Sequence, residues 1–151
     1  MDITDISLYR AMADELNAHP EKFTVLGECD MVLALVMRMP EGASGSDFAV
    51  RLRFEGLRCE GADEVDASEA PLADFYLDGP LAKWQAMFDD IVAHGAASGR
   101  QTINSLALLA TSTDDVRLRG DDPMGTDKFS RFNQTLQEYL DGASRSAVAA
   151  G

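Results

Sequence analysis

The chain has 151 residues, of which 46% are hydrophobic, enough for one domain with a full core. It carries 26 acidic and 13 basic residues, a net charge of −13. This scarcity of cations argues against nucleic-acid partners and against stable membrane association. The longest apolar run, residues 31–37, is too short to span a bilayer.

The first half of the chain predicts two helices and a hairpin. Residues 3–17 have helical periodicity, and their polar start does not look like a signal peptide, so we expect a cytoplasmic protein. Residues 21–26 predict a brief second helix. The apolar run 31–39 predicts a strand covered on both faces. Residues 47–55 alternate apolar and polar, which predicts a half-exposed strand paired with it, and residues 57–60 could continue that strand.

The second half predicts a turn over residues 61–70, strands at 72–77, 101–109 and 116–119, and two long helices. One helix runs from Pro80 to His94, with Gly95 after its end. The other is expected between Thr126, a candidate cap, and Gly142, expected in the left-handed conformation. The resulting fold class is α+β, with a mainly antiparallel five-stranded sheet covered by helices on one face. Residues 1–143 form a single domain, and residues 144–151 form a flexible tail.

The two long helices have apolar, aromatic stripes at helical spacing. The stripe of the first contains Leu81, Trp84, Met87, Phe88, Ile91 and Val92, and that of the second Phe129, Phe132, Leu136, Tyr139 and Leu140. Such stripes suit a plain hydrophobic core and also the lining of a pocket for an apolar ligand. The residues alone leave both interpretations open.

Two segments resemble a known family. Residues 76–95 resemble a segment of bacterial sterol carrier protein 2-like domains; their sequence is YLDGPLAKWQAMFDDIVAHG. Residues 127–142 are similar to the closing helix of the same domains; their sequence is DKFSRFNQTLQEYLDG. The resemblance extends over roughly residues 23–142. It implies a sheet and helices that enclose an apolar tunnel for a sterol, steroid or fatty acyl lipid, in a bacterial cytosolic protein. The family has no shared catalytic residues, so the resemblance implies a lipid carrier and not an enzyme.

The candidate ligand-binding residues follow from the stripes and the resemblance together. They are Phe75, Trp84, Met87, Phe88, Ile91, Asn104, Phe129, Phe132, Asn133 and Leu136. A polar cluster, Arg100, Gln101, Asn104 and Ser105, either solvates a sheet edge or holds the polar head of the ligand.

The sequence indicates functions other than lipid binding only weakly. An enzyme on the same scaffold, with His94 or Asp74 as acid or base, is one alternative, and an interaction module with an exposed helix face is another. His94 also fits a simple helix-end cation, with Asp90 four residues before it. We expect no metal and no cofactor, because the acidic pairs lack ligand spacing. Cys29 and Cys59 are expected to be unpaired, buried thiols. The oligomeric state stays open, a homodimer included.

Overall fold

The computed structural model describes residues 1–146. Its helices are α1 Ile6–Asn17, α2 Lys22–Leu26, α3 Leu81–His94, α4 Ile103–Leu108 and α5 Pro123–Asp141. Its strands are β1 Cys29–Arg38, β2 Phe48–Gly56, β3 Arg58–Val65, β4 Phe75–Pro80 and β5 Arg117–Arg119. Short 3-10 helices span Ala67–Leu72, Gly99–Gln101 and Gly142–Arg145.

The five strands form one sheet in the order β3-β2-β1-β4-β5. Three neighbouring pairs are antiparallel, as predicted, but β1 and β4 are parallel, so the sheet is mixed. The parallel pair arises because the chain crosses the back of the sheet, through the 3-10 helix Ala67–Leu72, before it enters β4. The prediction of a mainly antiparallel α+β sheet is therefore largely confirmed.

Strand β1 is the centre of the molecule and is covered on both faces, as its apolar run predicted. Met31, Leu33, Leu35 and Met37 belong to the main core, which α1, α3 and α5 complete. Ala34 and Val36 belong to a small second cluster with Ala70 of the 3-10 helix. The residues alternate in this way because successive side chains of a strand point to opposite faces. We call the helix-covered face the front and the other the back.

The predicted strand over residues 101–109 is wrong. This segment forms the end of a 3-10 helix followed by α4. The Thr102 hydroxyl accepts a hydrogen bond from the Ser105 backbone N–H and caps α4. Ile103 and Leu106, three residues apart, turn toward the core, which is helical spacing. A mixture of polar and apolar residues over so short a segment fits either structure.

The predicted ends of the helices are partly corrected. Gly95 has φ 83° and ends α3 in the left-handed conformation, as predicted. Asp122, not Thr126, caps α5, because its carboxylate accepts from the Met124 N–H and Pro123 suits the first helical position. Gly142 has φ −59° and continues into a 3-10 turn, so its predicted left-handed conformation is wrong.

Two predicted irregular regions contain ordered structure. Of the expected turn 61–70, residues up to Val65 complete β3, and Asp66 then starts the 3-10 helix with a capping box. Of the predicted tail 144–151, Ser144 bonds to the Gly95 carbonyl at 3.1 Å and Ser146 is buried. Residues 147–151 lie outside the described part of the chain. No helix within residues 1–146 is long and apolar enough to cross a membrane.

Candidate functional site

Seven of the ten candidate ligand-binding residues lie in the closed interior. They are at most 3% exposed and belong to one continuous cluster: Phe75, Trp84, Met87, Phe88, Ile91, Phe129 and Leu136. The Trp84 indole N–H donates to the Val36 carbonyl at 3.0 Å, which ties α3 to β1. The rings of Phe75 and Phe129 meet edge to face at 5.7 Å and join β4 to α5. In this conformation the seven side chains pack against the protein itself.

The other three candidates are half-buried. Phe132 packs at the margin of the core, with the Arg131 guanidinium 5.2 Å from its ring centre. Asn133 donates from its side-chain amide to the Ser130 carbonyl at 3.1 Å. Asn104 lies on α4 and not on a strand. These three residues therefore mark the boundary of the core and not its centre.

An amphipathic cleft of about 290 Å³ opens between α3, α4 and the segment that leads into β5. Its apolar lining is Ala86, Leu106, Leu109 and Val116. Its polar lining is Lys83, Arg100, Gln101, Ser105 and Asp115. The cleft thus combines an apolar wall with polar and charged groups, and small-molecule sites contain both kinds of group. We refer to it below as the α3–α4 cleft.

Some polar groups of the α3–α4 cleft have hydrogen-bond or ion-pair partners within the chain, and others do not. The Gln101 side-chain oxygen is buried and has no hydrogen-bond partner within residues 1–146. Lys83 and Arg100 form no ion pair there within 4.0 Å. Asp115, in contrast, accepts from the backbone N–H groups of Thr111 and Ser112, and these bonds lower the pKa of its carboxyl group. The cleft therefore presents two cations without an ion-pair partner in the described part of the chain, beside a buried acceptor that lacks a hydrogen-bond partner there.

Three members of the polar cluster predicted from the sequence line this cleft. Arg100, Gln101 and Ser105 do so, whereas Asn104 is not among the lining residues. The structure brings them together through a helical turn and not along a strand edge. The same cleft contains residues that sequence reasoning missed, namely Lys83, Ala86, Leu106, Leu109, Asp115 and Val116. They come from three separate segments, and no local pattern connects them.

The two candidate acid–base residues make structural contacts. The His94 Nδ1 lies 2.9 Å from Asp90 Oδ1, and the imidazole is exposed. Asp90 also accepts from the Ser98 backbone N–H at 2.8 Å, which is the main reason that its pKa is lowered. Asp74 accepts from the Val32 N–H at 2.8 Å and pairs with Lys128 at 3.2 Å. Neither His94 nor Asp74 lines the α3–α4 cleft.

Both cysteines are free and buried, so the prediction of unpaired thiols is confirmed. Burial raises the pKa of Cys29 to about 12 and that of Cys59 to about 11. Both thiols are consequently protonated and poorly nucleophilic near neutral pH. Within residues 1–146 no group of three or more His, Cys, Asp or Glu side chains is arranged to hold a metal ion.

The fold, with its mixed sheet, helical front and crossing at the back, is similar to that of two solved structures. The crystal structure of sterol carrier protein 2 matches with a TM-score of 0.71 and 22% identity, over 97% of this chain and 100% of that one. A conserved hypothetical protein of Thermus thermophilus, described as a candidate sterol carrier protein, matches with a TM-score of 0.69 and 21% identity, over 100% and 95%. No family model and no curated protein matches the chain. The resemblance predicted from residues 76–95 and 127–142 is confirmed at the level of the fold.

Proposed function

We infer that this chain is a cytoplasmic binding or transfer protein for a hydrophobic small molecule, such as a sterol, a steroid or a fatty acyl lipid, and not an enzyme. Two solved structures with its fold are described as a sterol carrier protein and a candidate one. Fold alone does not assign function, so the proposal depends on a site. The α3–α4 cleft is the observation that carries it.

The apolar wall of the cleft supplies the binding energy in this proposal. Leu106, Leu109 and Val116 line it, and Leu109 is 58% exposed in the ligand-free chain. Each ligand methylene group removed from water contributes about 0.8 kcal/mol. Immobilising the ligand costs several kcal/mol in return, so micromolar affinity is the expected range.

The polar rim recognises the ligand head in this proposal. A carboxylate would be stabilised by the cations Lys83 and Arg100, which outnumber the single carboxylate of Asp115 in the lining. A hydroxyl group would instead donate to the unpartnered oxygen of Gln101, once that buried atom turns into the cleft. The two heads therefore depend on different residues, which makes a fatty acid and a sterol distinguishable by mutation.

A volume of about 290 Å³ is at the lower limit for small-molecule pockets, so a long ligand requires α4 to move. This helix has only six residues. A 2.6 Å hydrogen bond from the Ile103 N–H to the Gln137 side chain holds it to α5. Ile103 is fully buried in the same cluster as Met87 and Phe88. Outward movement of α4 would thus connect the cleft with the interior and create the tunnel that the resemblance implies.

The test is a titration with a fluorescent polyene fatty acid and a fluorescent sterol, followed by energy transfer from Trp84, the single tryptophan. We expect saturable binding. Leu109→Ser should weaken it about tenfold, because a leucine side chain that the ligand buries contributes roughly 1.5–3 kcal/mol. Leu72→Ser is the matched control, since Leu72 is 84% exposed and lies on the back of the sheet. Arg100→Gln should weaken the fatty acid more than the sterol. Absence of saturable binding, or equal losses for both leucine variants, would contradict the proposal.

A further inference from the structure

Two arginines pair with a single carboxylate on the back of the sheet, and a third arginine lies on the neighbouring strand beside it. Asp78 of β4 is 8% exposed and accepts from Arg38 Nε at 3.0 Å and from Arg119 Nη1 at 3.4 Å. Arg117 of β5 lies directly opposite Asp78 in the β4–β5 register. We call Arg38, Arg117 and Arg119 with Asp78 the arginine cluster.

The alternation of the strands places all four residues on the same face. Phe75 and Leu77 of β4 are in the main core, so Asp78 points to the back. Leu118 packs against the main core, so Arg117 and Arg119 on either side of it point to the back as well. The cluster therefore lies on the opposite face of the sheet from the α3–α4 cleft and is independent of the proposed lipid site.

The four residues of the cluster carry an excess of two positive charges, because two arginines pair with Asp78 and a third, Arg117, lies opposite it in the strand register without forming an ion pair among the described residues. Elsewhere in residues 1–146 the arginine and lysine ion pairs match one cation to one carboxylate, as in Arg58–Glu60. In addition, the Arg117 Nε–H is buried and has no hydrogen-bond partner within the described residues. A buried charged donor without an acceptor is costly, so a ligand that supplies an acceptor when the Arg117 side chain turns outward would relieve this cost.

Two of the three guanidinium groups are held in position by contacts within the chain. Arg38 donates from a second nitrogen to the Thr113 carbonyl, so both ends of its fork are engaged. Arg119 lies with its guanidinium carbon 5.7 Å from the centre of the Tyr76 ring. Side chains restrained in this way lose less entropy on binding a ligand than free surface arginines do.

We propose that the arginine cluster binds a phosphate group. A phosphate dianion balances the excess of two positive charges, and its oxygens match the forked donors of arginine. The phosphate lies on the Arg117 and Arg119 side of the cluster. On the other side, Glu41, Asp47 and Asp114 line a groove with Arg38 and repel anions. Because the whole chain has a net charge of −13, unspecific anion binding is suppressed and binding here depends on the cluster.

The test is a titration with inorganic phosphate at constant ionic strength, monitored by the arginine Nε–Hε signals in NMR. We expect the Arg117 signal to shift saturably, and Arg117→Gln to weaken binding about tenfold or more, the factor for a lost charge-assisted hydrogen bond. Arg131→Gln is the control. It makes the same change in net charge, and Arg131 forms an ion pair with exposed Asp127 on α5 and lies over the Phe132 ring, away from the arginine cluster. If Arg117→Gln destabilises the fold, Arg119→Gln, whose side chain is 46% exposed, replaces it.

Two further titrations with the same variants identify the source of the phosphate group. Glycerol phosphate represents a soluble monoester, and vesicles of phosphatidylcholine with phosphatidic acid represent a lipid headgroup. If the monoester or the vesicles bind, and this binding is lost in Arg117→Gln and retained in Arg131→Gln, the result supports the site. The ligand that binds then identifies the source of the phosphate group. Equal binding by the two variants, or no binding of phosphate, monoester and vesicles, would overturn it. Fatty-acid probe uptake should be unchanged in Arg117→Gln, so failure here leaves the lipid proposal standing.

Discussion

The interior side of α3 and the region around α4 are both rich in large apolar residues, but they differ in packing. Trp84 and Phe88 of α3 have no exposed surface, whereas Leu108 and Leu109 at the end of α4 are 74% and 58% exposed. The stripe on α3 is long and regular, and the apolar residues of α4 are interrupted by polar ones. An amphipathic stripe therefore identifies the side of a helix that turns inward, but not whether protein or ligand fills the space there. In this chain the amphipathic cleft lies beside the irregular helix.

The largest expected effect separates the interior from its margin. Trp84→Ala should lower the free energy of unfolding by about 3–5 kcal/mol, since it leaves a large cavity and removes the hydrogen bond to the Val36 carbonyl. Phe132→Ala should cost about 1–2 kcal/mol, because Phe132 is only half-buried. Urea unfolding of the ligand-free protein, followed by circular dichroism, measures both.

This pair of variants also tests the proposed carrier function. A full core-sized loss at both positions would mean that Phe132 has no free side toward a ligand space. If Trp84 emission were also insensitive to an apolar ligand, the carrier interpretation would lose its physical support. A small loss at Phe132 with ligand-dependent Trp84 emission is the expected combination.

A second effect tests how rigidly α5 is fixed to the sheet. Gly125 lies in the first turn of α5, where alanine would ordinarily be the more stable residue. Here a Cβ atom would collide with the Asp74 backbone carbonyl. Gly125→Ala should therefore destabilise by about 3 kcal/mol, at the upper end of overpacking costs. In the control Gly61→Ala the nearest atom would be Asp63 Oδ2 at 3.7 Å, so a change within about 0.5 kcal/mol is expected. A neutral Gly125→Ala would show that α5 can move relative to β4.

A third effect concerns the reactivity of the two thiols in the core. Burial raises the pKa of Cys29 from 9.0 to about 12 and that of Cys59 from 9.0 to about 11. The thiolate fraction in the native protein is then at least about a hundredfold lower than in the unfolded chain. Iodoacetamide at pH 8 should accordingly label both cysteines quickly in denaturant and very slowly without it. Fewer than two reactive thiols in denaturant without reductant would indicate a disulfide or a modification.

The parts of the fold that local patterns specify were predictable. The apolar run of β1 and the alternation of β2 predict the hairpin, and Pro80 with Gly95 marks both ends of α3. The parallel pairing of β1 with β4 was not predictable, because it depends on a crossing that only tertiary contacts stabilise. Residues 101–109 were mistaken for a strand because their helical signals, the Thr102 cap and the three-residue spacing of Ile103 and Leu106, extend over only one short helix.

The candidate site was predictable only in part. Gln101 and Ser105 stood out as polar residues among apolar ones, and both line the α3–α4 cleft. Lys83 did not stand out, because a lysine on the outer face of a helix is ordinary. The arginine cluster depends on the register of β4 and β5, and a shift by one residue would place Arg117 on the front of the sheet. Such sites require the strand pairing, which the sequence does not contain as a local pattern.

The smallest expected effect is that of His94→Ala, which tests whether the end of α3 does chemistry or only holds a loop. The imidazole is 62% exposed, and its contacts are the side chain and carbonyl of Asp90 one turn earlier. Asp90 keeps its bond to the Ser98 N–H without the histidine, so the loop after α3 should stay in place. The free energy of unfolding should therefore change by less than about 1 kcal/mol, as measured by urea unfolding. Uptake of the fluorescent fatty acid should be unchanged. If His94→Ala instead abolished turnover of a lipid ester while probe binding persisted, an enzyme would become the better interpretation, with the imidazole as its base.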